Sequence, residues 1–146
     1  MKNILTILIL LATFTLSAQK TKVDTYTYTG RLINGVAPTI WDSGYMGAIY
    51  ISKDTIYIKA ANKKAKSWKY SIIKSKTAST GSTKRDKTIT SYIVESENNI
   101  DDDISIKIVL TIQNKPTFMR PNSLQVVVRD KFTETNQIVD YILSKN

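Results

Sequence analysis

Strict alternation of apolar and polar residues is the feature that most constrains this fold. Between Ile104 and Gln113, an aliphatic residue occupies every second position. Alternate side chains of an extended strand point to opposite faces, whereas a helix would spread the same residues around its whole circumference. The segment therefore predicts a half-buried β-strand. The side chains expected to share its buried face are Ile104, Ile106, Ile108, Leu110 and Ile112.

The segment 47–60 predicts a β-hairpin with a definite register. If Lys53 and Asp54 form the turn, aliphatic residues face each other on one side and two tyrosines face each other on the other side. The expected pairs are Ile51 with Ile56, Tyr50 with Tyr57, and Ile49 with Ile58. Lys-Asp is not a favoured two-residue turn, so a longer loop over 52–55 with the same pairing is the alternative.

Further strands are predicted by the same alternation at 25–32, 67–74, 88–95 and 124–128. In the second of these, Trp68, Tyr70 and Ile72 share one face. Asn34-Gly35 is a strong turn signal, and the polar stretch 75–87 predicts a long hairpin loop. Asparagines and prolines between 114 and 122 indicate another break.

The C-terminal segment 136–143 is ambiguous. Ile138, Val139, Ile142 and Leu143 have a helical spacing, yet Val139, Tyr141 and Leu143 also alternate as a strand would. Isoleucine, valine and tyrosine favour extended structure, so we expect a strand here, with a short helix as the alternative.

These segments predict an all-β domain of about eight antiparallel strands. No helical segment lies between consecutive strands, as a parallel sheet would require. We therefore expect an up-and-down meander, either closed as a small barrel or folded as a β-sandwich. Eight-stranded lipocalin-like barrels have this architecture, as an analogy of fold alone.

The first 18 residues have the layout of a secretory signal peptide. Lys2 precedes an almost continuous apolar run over 4–16, and small residues end at Ala18. That run would span only about 20 Å as a helix, less than the roughly 30 Å of a bilayer core. We expect cleavage after Ala18, a single β domain over 19–146 with no transmembrane segment, and export to the periplasm or the extracellular space.

The sequence contains no cysteine and no histidine. Their absence excludes disulfides, thiolate nucleophiles, Ser-His-Asp triads and the usual zinc sites. Ser71 and Lys74 have the spacing of a Ser/Lys acylase motif, but on a strand their side chains would point to opposite faces. Asp101, Asp102 and Asp103 lack the spacing of an EF-hand loop. We expect neither catalytic residues nor a metal or other cofactor.

Basic residues are concentrated in one part of the chain, since 59–87 contains ten of them and one acid. The residues predicted to bind an anion are Lys63, Lys64, Lys66, Lys69, Lys84, Arg85 and Lys87. The partner would be a glycan, a lipid headgroup or an acidic protein. Lysine lacks the bidentate fork of arginine, so nucleic acid is not expected. An acidic cluster over 95–103 is predicted at the far end of the next strand, separated from the basic segment.

The same lysines have a simpler interpretation. They would solvate the outer face of an edge hairpin while Trp68 and Tyr70 point into the core. The sequence predicts an exported, non-catalytic β-domain that binds a small apolar ligand or an anionic partner. A structural or cell-surface interaction protein with a packed core is the alternative, and a carboxylate-based hydrolase is a further one.

Overall fold

The computed structural model describes residues 22–36, 45–81, 86–97 and 103–144. The predicted signal peptide, Lys84, Arg85, Asp101 and Asp102 lie outside these ranges. Eight strands occur within them: β1 (Asp24–Ile33), β2 (Gly47–Ile51), β3 (Thr55–Ala60), β4 (Trp68–Thr80), β5 (Lys87–Ser96), β6 (Ile104–Gln113), β7 (Asn122–Asp130) and β8 (Asn136–Ser144).

Each strand pairs antiparallel with the next one in sequence, and β8 pairs with β1, so the sheet closes into a barrel. The predicted meander is therefore confirmed in its barrel form, and the β-sandwich alternative is wrong. The C-terminal helix alternative is also wrong, because β8 forms backbone ladders with β7 and β1. No helix in the described ranges is long and apolar enough to cross a membrane.

The predicted hairpin register is confirmed at every pair. Ile49, Tyr50 and Ile51 lie opposite Ile58, Tyr57 and Ile56. The two tyrosine rings stack on the outer face with their centroids 6.2 Å apart. Lys53 and Asp54 are the central turn residues, because Ser52 N donates to the carbonyl oxygen of Thr55 at 2.9 Å and its hydroxyl accepts from Thr55 N.

The core fills the middle of the barrel with alternate side chains from all eight strands. The predicted buried face of β6 is confirmed, with Ile106, Ile108 and Leu110 buried and Ile104 and Ile112 packed against the core. The largest fully buried side chains are Tyr28, Ile49, Ile56, Ile58, Ile108 and Leu124.

The loop predicted over 75–87 is shorter than expected. Strand β4 continues to Thr80 and β5 begins at Lys87, so the connection covers only 81–86. Threonine and serine favour or tolerate strands, and their hydroxyls link the two strands directly. Thr77 bonds to Thr90 at 3.1 Å, and Ser79 bonds to Thr88 at 3.3 Å.

Two segments refine the predicted turns. Ile33 and Val36 exchange two backbone hydrogen bonds around Asn34 and Gly35, both at positive φ, which confirms the predicted turn. The predicted break before β7 ends one residue earlier than expected. Asn122 is the first residue of β7, and its buried side-chain oxygen accepts a hydrogen bond from Gln113 N at 2.8 Å.

The antiparallel order gives the barrel two ends with different loops. We call the end that carries 61–67 and 131–135 the cup end, and the end that carries 52–54, Gly81, Asp86 and 114–121 the tip end. Strands β1, β3, β5 and β7 run toward the cup end, and the other four start there.

Inward and outward isoleucines on neighbouring strands should differ in their contribution to stability. Ile108→Ala removes a side chain with no exposure and should lower the free energy of unfolding by about 2–5 kcal/mol. Ile93→Ala, at a position 51% exposed, should cost about 1 kcal/mol or less. Urea unfolding of both variants measures the difference. Equal losses of unfolding free energy would contradict the placement of Ile108 inside the barrel and Ile93 outside it.

Candidate functional site

A cavity of about 360 Å³ lies at the cup end of the barrel, and we call it the cup. Its walls come from the ends of β1, β4, β5, β6, β7 and β8 nearest this opening. The aliphatic lining residues are Ile33, Ile104, Ile106, Val126, Val128 and Val139. Below the cup the barrel is filled by the core, so the interior is packed in the middle and hollow at one end.

Arg31 enters the cup because β1 contains a bulge. Tyr28 lies opposite Leu143, but the next pairs join Gly30 to Ile142 and Arg31 to Tyr141. Thr29 is thus the extra residue, and it shifts the alternation of β1 by one. Arg31 therefore shares the inner face with Tyr141, and its Nε atom is buried.

Sequence reasoning missed Arg31. Extending the alternation of Tyr26 and Tyr28 would have placed Arg31 outside, next to solvent. Gly30 was the signal that could have revealed the bulge, because glycine within a strand often marks one. A Cβ at Gly30 would lie 3.3 Å from Cδ1 of Ile142, so the close approach of β8 also favours glycine.

Aromatic side chains form one side of the cup. Trp68 and Tyr70 face inward from β4, which confirms the predicted direction of both residues. The Lys66 ammonium lies 4.2 Å from the centroid of the Trp68 ring, an arrangement typical of a cation–π contact at the rim. Tyr141 packs edge to face on Tyr28 with ring centroids 4.9 Å apart, which holds the Tyr141 ring in place.

The tyrosine hydroxyls of the cup stay protonated at neutral pH. Burial raises the pKa of Tyr70 to about 12. Burial is also the largest cause that raises the pKa of Tyr141, with Tyr70 adding to the effect and the positive charge of Arg31 opposing it. These hydroxyls can donate hydrogen bonds but do not serve as bases near neutrality. Among the described residues that line the cup, the charged ones are Arg31 and Lys66.

The described members of the predicted anion-binding set are divided between the two ends of the barrel. Lys63 and Lys64 are exposed on the 61–67 loop at the cup end, and Lys66 is at the rim of the cup. Lys69 points outward from β4 and forms an ion pair with Glu97, whose hydrogen bond raises the pKa of Lys69. Lys87 is at the tip end. Lys84 and Arg85 lie outside the described residues.

These lysines do not share one surface. Lys69 follows the first residue of β4, whereas Lys87 pairs with its last residue, Thr80. At about 3.3 Å per residue, the two positions are roughly 35 Å apart. The predicted separation of acidic and basic clusters is also wrong at the cup end, where Glu97 meets Lys69. The reason is that the basic segment runs the length of the barrel, so its first half returns to the end where β5 delivers Glu97.

Within the described ranges, no group of three or more acidic side chains is arranged to hold a metal ion. Comparison with known proteins found no matching family model, no similar curated protein and no similar solved structure.

Alkaline conditions should destabilise the barrel through Tyr70. Its pKa is about 12 in the folded protein against an ordinary value of 10.0, so the stabilising contribution is complete below pH 10.0 and is lost as the pH rises toward 12. Between pH 10.0 and about 12, this one group should lower the free energy of unfolding by about 1.4 kcal/mol per pH unit.

The measurement is urea unfolding across this alkaline range with phenolate absorbance as a second signal. Tyr70→Phe should reduce the alkaline slope, and Tyr50→Phe on the outer face controls for loss of a hydroxyl group. Equal slopes for wild type and Tyr70→Phe would contradict the burial of this hydroxyl.

Proposed function

We propose that the protein is an exported, non-catalytic domain that binds a small apolar molecule carrying one anionic group in the cup. The observation that carries this proposal is the position of the Arg31 side chain. The β1 bulge directs this side chain inward, so that it lines a cup whose wall is otherwise largely apolar. The signal-peptide pattern of residues 1–18 supports export, and the site of binding would be the periplasm or the extracellular space.

The aliphatic and aromatic lining favours an apolar ligand. A cavity of about 360 Å³ is at the small end of the volumes that bind small molecules, ~300–1,000 Å³. A ligand that filled it would remove apolar surface of both the ligand and the protein from water, which favours binding by about 25 cal/mol per Å² of buried surface. Trp68, Tyr70 and Tyr141 add flat aromatic surfaces, and the two tyrosines also add protonated hydroxyl donors.

The charge on the lining favours an anionic group on that ligand. Arg31 places a guanidinium on the cup lining, a group whose N–H donors suit a carboxylate, and hydrogen bonds to charged groups strengthen in a partly desolvated site. Lys66 supplies a second positive charge at the rim, above Trp68. Lys63 and Lys64 on the adjacent loop would attract an anion toward the opening.

Binding is favoured over hydrolysis by the groups that face the cup. The described lining residues include no carboxylate, and the raised pKa of Tyr70 leaves its hydroxyl without a basic form near neutrality. A general base would have to accept a proton at the reacting atoms. The hydrolase alternative therefore gains no support from the cup.

Decanoate and 1-decanol are a matched pair of probes, because they share a hydrocarbon chain and differ in charge. Wild-type protein should bind decanoate more tightly than decanol in isothermal titration calorimetry. Arg31→Gln should weaken decanoate by about 10- to 100-fold, since a charge-assisted hydrogen bond contributes about 1.5–3 kcal/mol, and should leave decanol within a factor of about 2.

Lys107→Gln is the matched control, because it removes one positive charge from the exposed outer face of β6. It should leave both affinities unchanged. Failure of wild type to bind either probe would support a structural role with an unoccupied cup. Equal affinity for the two probes, insensitive to Arg31→Gln, would contradict anion recognition.

A further inference from the structure

The loop between β6 and β7 carries two apolar side chains at the tip of a tight turn. Thr117 and Arg120 exchange two backbone hydrogen bonds, each 3.0 Å long. Phe118 and Met119 are the central residues of this turn, and we call residues 117–120 the Phe-Met turn. The loop base is also anchored, since Asn114 N donates to the carbonyl oxygen of Asp86 at 2.8 Å. These hydrogen bonds hold the turn in place where it projects from the tip end of the barrel.

Both apolar side chains extend into solvent. Phe118 is 96% exposed and Met119 is 84% exposed. Transfer of apolar side chains of this size out of water is favourable, and here the barrel covers little of either one. Lys115 and Arg120 flank them in sequence, so two cations stand beside two apolar groups.

We propose that the Phe-Met turn inserts into the interfacial region of a bilayer that carries anionic lipid headgroups. Phe118 and Met119 would enter the boundary between headgroups and acyl chains, while Lys115 and Arg120 remain at headgroup level. Thr117 and Arg120 already satisfy each other's backbone groups, so insertion of the tip exposes none of these groups to lipid.

The charge of the whole tip end agrees with an anionic surface. The described basic residues at this end are Lys22, Lys53, Lys87, Lys115 and Arg120, and the described acidic residues are Asp24, Asp54 and Asp86. The balance is positive, and Lys53, Lys115 and Arg120 are exposed. A bilayer also suits the shape of the turn, because lipid deforms around a convex projection whereas a protein partner would need a matching pocket.

Phe132 at the cup end is a matched comparison. It is 86% exposed on the β7–β8 loop, and its backbone N–H donates to the Asp130 carboxylate at 2.8 Å. Asp130, Lys131 and Glu134 surround it in sequence with a net charge of −1, against +2 for Lys115 and Arg120, and a net negative charge is unfavourable next to anionic lipid. A single aromatic residue in acidic surroundings should not insert. Docking through the tip end would also leave the cup facing away from the bilayer, open to aqueous ligand.

The first test is co-sedimentation with vesicles of phosphatidylcholine and phosphatidylglycerol, compared with phosphatidylcholine alone. All variants are made in residues 19–146, which retain the eight strands and remove the apolar run of the signal segment. Phe118→Ser combined with Met119→Ser should reduce binding to anionic vesicles at least about tenfold. Phe132→Ser should leave it unchanged.

The charges are tested separately. Lys115→Gln and Arg120→Gln should each weaken binding to anionic vesicles by about fivefold and have little effect on neutral vesicles. The mutated side chains are exposed, so the thermal unfolding temperature should match that of wild type and confirm that each variant is folded.

The second test locates the contact. The chain has no cysteine, so Met119→Cys and Phe132→Cys each provide one site for an environment-sensitive fluorophore. The label at 119 should shift to shorter wavelength on addition of anionic vesicles, and the label at 132 should not.

Three results would overturn the proposal. One is wild-type binding that survives the double serine substitution. Another is absence of vesicle binding by wild type. The third is self-association in the absence of lipid that the double serine substitution abolishes, which would make a second copy of the chain the partner. None of these results depends on whether the cup binds decanoate.

Discussion

The pairing of β1 with β8 is the interaction on which both the barrel and the cup depend. It joins the first and last strands, so all eight strands have two neighbours and no sheet edge is left exposed. The same pairing contains the bulge at Thr29, which moves Arg31 from the outer face to the inner face. A regular β1–β8 ladder would close the same barrel but leave the guanidinium in solvent.

Period-two alternation was sufficient to predict most of this fold. It identified β6 with its exact bounds in the sequence, and the pairing of β2 with β3 followed from matching like residues across one turn. Such arguments succeed where a strand is regular and its partner is near in sequence. The strand choice for 136–143 was also correct, because the alternating residues of β8 (Asn136–Ser144) suit a barrel wall.

The same reasoning failed where a strand is irregular or its partner is distant. The bulges after Tyr28 and after Ile72 each reverse the alternation, and alternation alone places neither of them. Arg31 was missed for this reason, although Gly30 marked the place. The basic residues were misgrouped for another reason: proximity in sequence does not imply proximity in space when a strand of 13 residues lies between them.

The two ends of the closed barrel carry different chemistry. The cup end combines an apolar cavity with Arg31 and Lys66, which suits recognition of a small amphipathic anion. The tip end presents Phe118 and Met119 beside cations, which suits an anionic surface. Because the packed core separates the ends, each can be altered without disturbing the other, and the two proposals are independent.

The most direct measurement of the central claim is the NMR signal of the Arg31 Nε–H group during a titration with decanoate. The sequence contains four arginines, so these signals can be assigned one by one by substitution. We expect the Arg31 signal to shift and saturate together with methyl signals of Ile106 and Val126, while the signal of Arg129 on the outer face stays in place. Saturation of the cup methyl signals with no change at Arg31, or no change at either, would contradict this expectation.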